Sequence, residues 1–151
     1  MLCKSVKSKP LKILNNEEVD VLARTIWGEA RGEQLSGMEA VASCVMNRVA
    51  KSQARGGHWW GNNVVDVCKK PYQFSCWNKD DPNLTKMLEV NEEDKVFASA
   101  KRIAKRALRG SLADSTNGAT HYHAAQILPW WAKGRTPIAG IGRHKFYKNI
   151  G

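Results

Sequence analysis

Residues 19–33 read Val-Asp-Val-Leu-Ala-Arg-Thr-Ile-Trp-Gly-Glu-Ala-Arg-Gly-Glu, and this stretch decides the fold. Apolar side chains recur in it every three or four positions, which predicts a buried stripe on one amphipathic helix. The stripe consists of Val19, Leu22, Ala23, Ile26, Trp27 and Ala30. We expect the helix to begin after a capping Asn15 or Asn16 and to end near Gly32.

Two carboxylates stand at the end of this stripe. At about 100° per residue, Glu29 falls at the edge of the apolar arc, and Glu33 falls inside it if the helix continues. A carboxyl group held against apolar surface is costly to ionise, so its pKa rises and it can hold a proton near neutral pH, as a general acid must. The alternative is a helix end whose glutamates cap backbone amides or pair with Arg31.

The length of 151 residues predicts one domain that can bury a sizeable core. No run approaches the roughly 18 apolar residues of a membrane helix. The chain starts with a basic segment that runs into Ser8-Lys9-Pro10 rather than into an apolar signal core, so we do not expect export by a signal peptide. We interpret residues 1–14 as a loosely held basic arm and residues 15–151 as the functional domain.

The chain carries a formal net charge of +10, and between Lys95 and Gly151 its only acidic residue is Asp114. A helix is predicted from about Glu92 to Arg109, apolar on one side and basic on the other. The basic side consists of Lys101, Arg102, Lys105, Arg106 and Arg109. Such a face suits a solvated surface first, and then nucleic acid, a lipid or lipopolysaccharide surface, or an anionic cell-wall polymer.

The four cysteines stand at positions 3, 44, 68 and 76, without a CxxC pair or a metal-ligand spacing. Cys44 lies among apolar residues and is expected to be buried. Cys68 and Cys76 could form a disulfide in an oxidising compartment. Because no signal peptide is evident, we expect free thiols.

The segment 69–78 alternates aromatic and hydrogen-bonding side chains. Sugar-binding clefts use that mixture, with rings that stack on pyranose faces and amides or hydroxyls that fix the sugar hydroxyls. The candidates are Gln73, Phe74, Ser75 and Trp77. The alternative is a loop that Phe74 and Trp77 pin to the core.

A short strand is predicted around residues 119–124, where polar and less polar side chains alternate. One face would carry Thr120, Tyr122 and Ala124, and the other His121 and His123. Two histidines at this spacing, completed by His144, could hold a metal ion, but the signal is weak and we expect neither a metal nor another cofactor.

Six segments, in this order, resemble the SleB/CwlJ-type cell wall hydrolases, which include spore cortex-lytic enzymes and related phage endolysins. They are ARTIWGEARGE (23–33), VMNRV (45–49), YQFSCW (72–77), GATHYH (118–123), PWW (129–131) and GRHKFY (142–147). The resemblance covers about Glu17 to Lys148. It implies an α+β fold that is mainly α-helical, a single lysozyme-like or lytic transglycosylase-like domain with a small β element.

The resemblance also implies a substrate and a catalytic residue. The substrate would be peptidoglycan, cleaved at the β-1,4 bond between N-acetylmuramic acid and N-acetylglucosamine. The family's catalytic glutamate falls on Glu29, a choice that helical spacing alone does not make.

The other site residues are our hypothesis for the mechanism favoured below. Glu33 would support Glu29 by tuning it or by organising Arg31, and Thr120 and Tyr122 would help to orient the sugar and the charge that develops at C1. The substrate would be bound by Gln73, Phe74, Ser75, Trp77, His121 and Trp130.

Four functional interpretations are consistent with these residues. We favour a lytic transglycosylase with the single acid Glu29, giving 1,6-anhydro products, because Glu29 and Glu33 would approach the sugar from the same side whereas two catalytic carboxylates must flank the bond. The alternatives are a hydrolytic muramidase or glucosaminidase that uses both glutamates, a metal-dependent hydrolase that uses the three histidines, and a basic module that binds envelope or nucleic acid without catalysis.

The expected partners are peptidoglycan glycan strands and, through the basic face, an anionic envelope surface. No nucleic-acid partner is expected, and we expect a monomer. Spore enzymes of this type usually carry an export signal with a wall-binding domain, or use accessory factors. The short basic arm therefore favours a phage endolysin-like protein, made in the bacterial cytoplasm and acting on the cell wall.

Overall fold

The computed structural model describes residues 13–150, and α1 (Asn16–Ala30) is the helix on which the other helices pack. All six members of the predicted apolar stripe are buried, none of them more than 3% exposed. Asn15 caps the helix, since its side chain accepts hydrogen bonds from the backbone N–H groups of Glu17 and Glu18. The expected first helix is thus confirmed, and it ends two residues before Gly32.

Four further helices surround α1. They are α2 (Leu35–Ala54), α3 (Val64–Lys69), α4 (Leu84–Glu89) and α5 (Lys95–Leu108). α2 and α5 pack on α1 and on each other, which encloses the main apolar core. α5 begins three residues after the predicted Glu92, because the side chain of Asp94 caps it by accepting from the backbone N–H of Phe97.

α5 has the apolar side and the basic side that the sequence predicts. Phe97, Ala100, Ile103 and Ala104 are buried, whereas the basic residues lie outside or at the rim of this contact. Within residues 13–150 two of the five cations have acidic partners: Lys101 pairs with Glu92 and Arg106 with Glu39. The helix therefore presents a mostly unneutralised positive surface.

The small β element is a three-stranded antiparallel sheet. Its strands are β1 (His121–Ala124), β2 (Ala139–Ile141) and β3 (His144–Tyr147), in the order β1-β3-β2. Tyr122 lies opposite Phe146 and His123 opposite Lys145. The strand predicted around residues 119–124 is therefore present as β1, and β2 adds an edge that the sequence pattern did not indicate.

Two neighbouring residues of α2 tie the start of β1 to the helices. The Asn47 amide donates to the backbone oxygen of Ala119 at 2.9 Å and to Asp114 at 3.0 Å. The buried Arg48 donates through Nε to the backbone oxygen of Thr120. Because two of these three bonds end on backbone oxygens just before β1, they fix where β1 lies relative to α2.

Cys44, Cys68 and Cys76 are buried and free, as expected for the thiols that the structure describes. Most of the predicted basic arm, with Cys3, lies outside the described residues. None of the helices in residues 13–150 combines the length and the apolar character that crossing a bilayer demands.

Candidate active site

Glu29 lies in the last turn of α1, partly buried, and faces the sheet. Tyr122 on β1 donates a hydrogen bond from its hydroxyl to Oε1 of Glu29 at 2.6 Å. Burial raises the pKa of Glu29 above its ordinary value, because the protein interior solvates a carboxylate poorly. Hydrogen bonds from Tyr122 and Cys76 oppose that rise in pKa, and the negative charge of Asp81 adds to it. Glu29 therefore keeps its proton to a higher pH than an exposed glutamate does.

Gly28 brings Cys76 against Glu29. A Cβ atom on Gly28 would lie 2.6 Å from Cβ and 2.9 Å from Sγ of Cys76, distances that no side chain tolerates. Glycine at this position therefore lets the short 3-10 turn Ser75–Trp77 pack directly on α1. The thiol of Cys76 stays protonated, because burial is the largest of the causes that raise its pKa.

A small cavity of about 60 Å³ adjoins Glu29. It is lined by Gly28, Glu29, Arg31, Ser75, Cys76, Asp81, Asn83 and Met87. This volume accommodates a few water molecules rather than a sugar ring. Ser75, predicted from the sequence, thus shares a cavity with the candidate acid.

Asp81 is a second carboxylate at this cavity, and the sequence reasoning missed it. It accepts a hydrogen bond from the backbone N–H of Asn83 at 2.8 Å, which fixes its position before α4. In the sequence, Asp80-Asp81-Pro82 has the composition of a linker, and no periodicity marks Asp81 as different from Asp80. Its relevance follows only from the way the loop folds back onto Glu29.

Aromatic rings hold Tyr122 in place. Its ring lies 5.0 Å from His144, 5.5 Å from Phe146 and 6.4 Å from Phe74, measured between ring centroids. Burial also raises the pKa of Tyr122 well above its ordinary value, so its hydroxyl remains a donor at all moderate pH values. The structure therefore places Tyr122, one of the residues proposed to support catalysis, against Glu29.

Glu33 does not organise Arg31, so that expectation is wrong. The guanidinium of Arg31 lies over the ring of Trp27 at 4.5 Å instead. Glu33 follows the end of α1, and its 9% exposed carboxylate accepts from the backbone N–H of Arg143 at 3.2 Å and lies 3.5 Å from Nε of the same residue. Glu33 therefore joins the end of α1 to the turn between β2 and β3, and it does not line the cavity beside Glu29.

Thr120 is 4% exposed, and its hydroxyl interacts with Nδ1 of His121 at 2.9 Å. Its backbone oxygen accepts from Arg48. The Thr120 hydroxyl thus positions the His121 ring, and the Thr120 backbone oxygen holds the start of β1 to Arg48. The structure does not bring Thr120 to Glu29 as a supporting side chain.

Phe74 and Gln73 hold the loop, which changes the roles predicted for them. Phe74 is 2% exposed and packs in the core, so it cannot stack on a sugar. The amide of Gln73 donates to the backbone oxygens of Trp60 at 3.0 Å and Val67 at 2.7 Å. The interpretation of this segment as a loop pinned to the core is correct for Phe74, and Gln73 only borders a groove.

A recess of about 480 Å³, larger than the cavity beside Glu29, is lined in part by this loop, and we call it the aromatic groove. It is lined by Arg48, Trp59, Pro71, Tyr72, Gln73, His121, Trp130, Trp131 and Ile150. Three residues predicted to bind substrate, Gln73, His121 and Trp130, thus meet in one recess. Burial lowers the pKa of His121 to about 4, so its ring is neutral at pH 7.

A second groove, of about 530 Å³, shares Pro71 and Tyr72 with the aromatic groove and contains Trp77. The indole N–H of Trp77 donates to the hydroxyl of Thr25 at 2.9 Å, which leaves the ring as its contribution to the groove. Tyr72 and Trp59 were not among the predicted substrate-binding residues. Their exposure was not visible in the sequence, where each stands beside a residue that is buried or partly buried.

The three histidines do not converge, so the three-histidine metal site is wrong. His121 and His123 pack edge-on against Trp131 at 5.3 and 5.7 Å, on one face of the sheet. His144 packs against Tyr122 on the opposite face. In the part of the chain that the structure describes, no group of three His, Cys, Asp or Glu side chains is arranged to hold a metal ion.

Comparison with known proteins connects this site to a family. The family model for cell wall hydrolases matches residues 32–147, a range that contains Tyr122 and begins just after Glu29. The spore cortex-lytic enzyme of Halalkalibacterium halodurans is 25% identical over 135 residues, which is 87% of this chain and 35% of that protein. The Bacillus subtilis enzyme of the same description is 25% identical over 137 residues, covering 87% and 38%. The chain thus spans less than half the length of these relatives.

Two solved structures share the fold. The catalytic domain of the germination-specific lytic transglycosylase SleB from Bacillus anthracis is 26% identical, with a TM-score of 0.67 over 89% of this chain and 97% of that one. The catalytic domain of Bacillus cereus SleB is 24% identical, with a TM-score of 0.68 over 94% and 99%. The expected mainly helical α+β domain of the SleB type is therefore confirmed.

Proposed function

The chain belongs to the cell wall hydrolase family, and from that premise we propose that it cleaves peptidoglycan as a lytic transglycosylase. The bond would be the β-1,4 linkage between N-acetylmuramic acid and N-acetylglucosamine. The observation that carries the proposal is the partly buried Glu29, whose pKa is raised and whose carboxyl oxygen accepts from Tyr122. The similarity to the SleB catalytic domain supports it.

Glu29 would act twice in this reaction. As a protonated acid it donates its proton to the glycosidic oxygen, and the bond from that oxygen to C1 of the muramic acid breaks. The resulting carboxylate takes the proton of the 6-hydroxyl of the same sugar, whose oxygen then bonds to C1. The products are a free 4-hydroxyl on one fragment and a 1,6-anhydro ring on the other, and Glu29 is protonated again.

Tyr122 suits both halves of this cycle. Its donated hydrogen bond stabilises the carboxylate, which is the form that Glu29 takes between the two proton transfers. Burial by itself favours the protonated form, which holds the proton that the first step must release. The balance between burial and the hydrogen bond keeps Glu29 usable as acid and as base.

One observation favours a second chemistry. Asp81 lines the same cavity as Glu29, and the cavity is large enough for water. A hydrolase would use Glu29 as the acid. Asp81 would either activate a water molecule or stabilise the sugar at C1, and the 6-hydroxyl would take no part. Among the two-carboxylate mechanisms, Asp81 is placed better than Glu33, which is held by Arg143.

Digestion of purified peptidoglycan followed by mass spectrometry tests the proposal. We expect fragments with 1,6-anhydromuramic ends, whereas reducing ends enlarged by one water would indicate the hydrolase. Glu29→Gln should reduce release of fragments by about 100-fold or more, since general acid catalysis contributes that much. Glu33→Gln is the matched control: loss of activity in Glu33→Gln with activity kept in Glu29→Gln would contradict the assignment of the acid.

The basic side of α5 is proposed to bind an anionic envelope surface, and the protein to act as a monomer. Three of its cations, Arg102, Lys105 and Arg109, form no salt bridge within residues 13–150, so they are available for such a surface. Binding to vesicles containing anionic lipid should fall steeply with salt. Release of sugar from sacculi separates this enzyme from a module that only binds, whether to envelope or to nucleic acid.

The site of action would be the cell wall of a bacterium. The relatives named above are spore cortex-lytic enzymes, and the other role to be tested is that of an endolysin-like protein. Digesting spore cortex and vegetative walls side by side distinguishes the two roles. An endolysin-like protein is expected to release fragments from vegetative walls.

A further inference from the structure

Tyr72 has a backbone conformation that a tyrosine rarely adopts. Its φ is 63°, in the left-handed region where the Cβ of a bulky residue is crowded. Two other residues that are not glycine share this conformation among the described positions, and both are asparagines, which tolerate it better. A tyrosine at such a position is a conformational cost that glycine would avoid.

The surrounding loop enforces the conformation. The backbone N–H of Tyr72 donates to the side-chain oxygen of Asn78 at 3.2 Å, and the next residue, Gln73, donates through its backbone N–H to Lys70 at 3.0 Å. The side chain of Gln73 is bound to Trp60 and Val67, as described above. The loop is therefore held on both sides of Tyr72, and the conformation does not depend on the tyrosine ring.

The ring itself contributes little to the fold. Tyr72 is 85% exposed, and no aromatic ring or cation within residues 13–150 packs on it. Strained residues persist where the surrounding structure determines them, and they cluster at binding sites. Because the tyrosine costs conformational energy and returns almost no packing, its ring is better explained by a contact outside the chain.

Two other exposed rings stand in the same recess. Trp59 is 62% exposed and Trp130 is 83% exposed, and both line the aromatic groove with Tyr72. Exposed aromatic rings with polar groups beside them are what binding sites for sugars present to pyranose faces. Arg48 and the His121 ring supply polar groups in this groove.

We propose that Tyr72, together with Trp59 and Trp130, stacks on pyranose rings of a β-1,4-linked, N-acetylated glycan strand. The inference deepens the proposed function and rests on it. Tyr72 lines both the aromatic groove and the second groove, so it forms the ridge between them. A strand that occupies both grooves crosses this ring.

Two segments of the chain connect the proposed site to the cavity beside Glu29. Residues 71–73 line the grooves, and Ser75 and Cys76 of the same loop line the cavity beside Glu29. His121 lines the aromatic groove, and its neighbour Tyr122 bonds to Glu29. Two continuous segments thus connect sugar binding to the candidate acid, which identifies the occupant as the substrate strand.

The test separates the ring from the backbone. In a Glu29→Gln background, which prevents cleavage, affinity for peptide-free glycan oligomers prepared from peptidoglycan is measured by calorimetry, and thermal unfolding is recorded in parallel. Tyr72→Gly should unfold at the same or a higher temperature, because it relieves the left-handed conformation, yet bind about tenfold more weakly through loss of the stacked ring. Tyr72→Phe keeps the ring and should bind as tightly as the parent.

Asn117→Gly is the matched control, since Asn117 has a φ of 58° and lines neither groove. It should leave glycan affinity unchanged. Unchanged affinity in Tyr72→Gly, or a lower unfolding temperature in that variant, would overturn the proposal, because the ring would then be idle or structural. If the wild-type chain releases nothing from sacculi while Tyr72→Gly still weakens glycan binding, the sugar site stands and the proposed catalysis fails.

Discussion

Tyr122 and Glu29 are separated by 93 positions in the sequence, and their side chains meet at 2.6 Å. The two residues come from different parts of the fold, a helix end and a strand. The bond stabilises the carboxylate of Glu29, whereas burial stabilises the acid, so the pKa of Glu29 is the result of two opposed effects. Changing either partner should therefore move the pH range of activity in a direction that can be stated in advance.

Tyr122→Phe removes the hydroxyl and leaves the ring. The lost hydrogen bond lowered the pKa of Glu29, so that pKa should rise further, and the alkaline limb of the pH profile should move to higher pH. The maximal rate should fall, since the carboxylate formed after the first proton transfer is less stable. Activity profiles on peptidoglycan measure both effects, and an alkaline limb that moves to lower pH would contradict the role given to Tyr122.

Asp81→Asn should move the alkaline limb of the pH profile to lower pH. The negative charge of Asp81 raises the pKa of Glu29, so its removal lowers that pKa and the acid is lost at lower pH. Asp80→Asn is the control, because the neighbouring Asp80 lines the second groove and not the cavity. Equal shifts in both variants would indicate a general charge effect rather than the position of Asp81.

Glu29→Gln should stabilise the fold while it abolishes activity. The pKa of Glu29 in the folded state is raised above its ordinary value of 4.5, so its stabilising contribution is complete below pH 4.5 and is lost as the pH rises through the folded pKa. Glutamine carries no charge and can still accept from Tyr122. We therefore expect a higher unfolding temperature than wild type at pH 7, with the difference vanishing below about pH 4.5.

Glu17→Gln is the control for that stability measurement. Glu17 is exposed in the first turn of α1, where the helix dipole favours negative charge. Its replacement should not raise the unfolding temperature at pH 7. A gain of the same size in both variants would show that total charge, and not the burial of Glu29, is responsible.

Gly28→Ala tests the close approach of the Ser75–Trp77 turn to α1. The added Cβ would meet Cys76 at 2.6 Å, so the turn must move away from Glu29. We expect a loss of about 1–3 kcal/mol in the free energy of unfolding, typical of overpacking, together with reduced activity. Gly140→Ala, which would meet nothing within 4 Å, should have a much smaller effect in chemical denaturation.

Gly142→Ala tests the contact between the β2–β3 turn and Glu33. Its φ is 57°, and a Cβ there would lie 2.5 Å from Oε2 of Glu33. The left-handed conformation alone costs about 1–2 kcal/mol for alanine. Gly134→Ala, with a φ of 73° and open space around it, measures that cost without the contact. We expect a greater loss in the free energy of unfolding for Gly142→Ala than for Gly134→Ala. Equal losses would show that the Glu33 side chain moves aside at no cost.

The helices could be predicted because their signal is periodic. Every member of the apolar stripe of α1 is buried, since the 3.6-residue repeat and the burial have the same physical cause. β2 could not be predicted in this way. It is three residues long, contains Gly140, and exists because β3 offers it a hydrogen-bonding edge.

The site could be predicted only in part. Glu29 and Tyr122 belong to regular elements, and the resemblance to a family picked them out. Phe74 and Tyr72 lie two positions apart in one irregular loop, where the first is buried and the second exposed. Loop conformation follows from individual hydrogen bonds, such as the one that the backbone N–H of Tyr72 donates to the side chain of Asn78, and such bonds leave no repeat in the sequence.

The separation of Glu29 from Tyr122 also sets an order of events during synthesis. A ribosome completes α1 and α2 long before it reaches β1, and helices can form from local contacts as the chain emerges. The Asn47 and Arg48 bonds that place β1 need the later segment to be present. The emerging chain would thus contain Glu29 without Tyr122. Lytic activity would arise in a single late step, when the sheet packs against the helices.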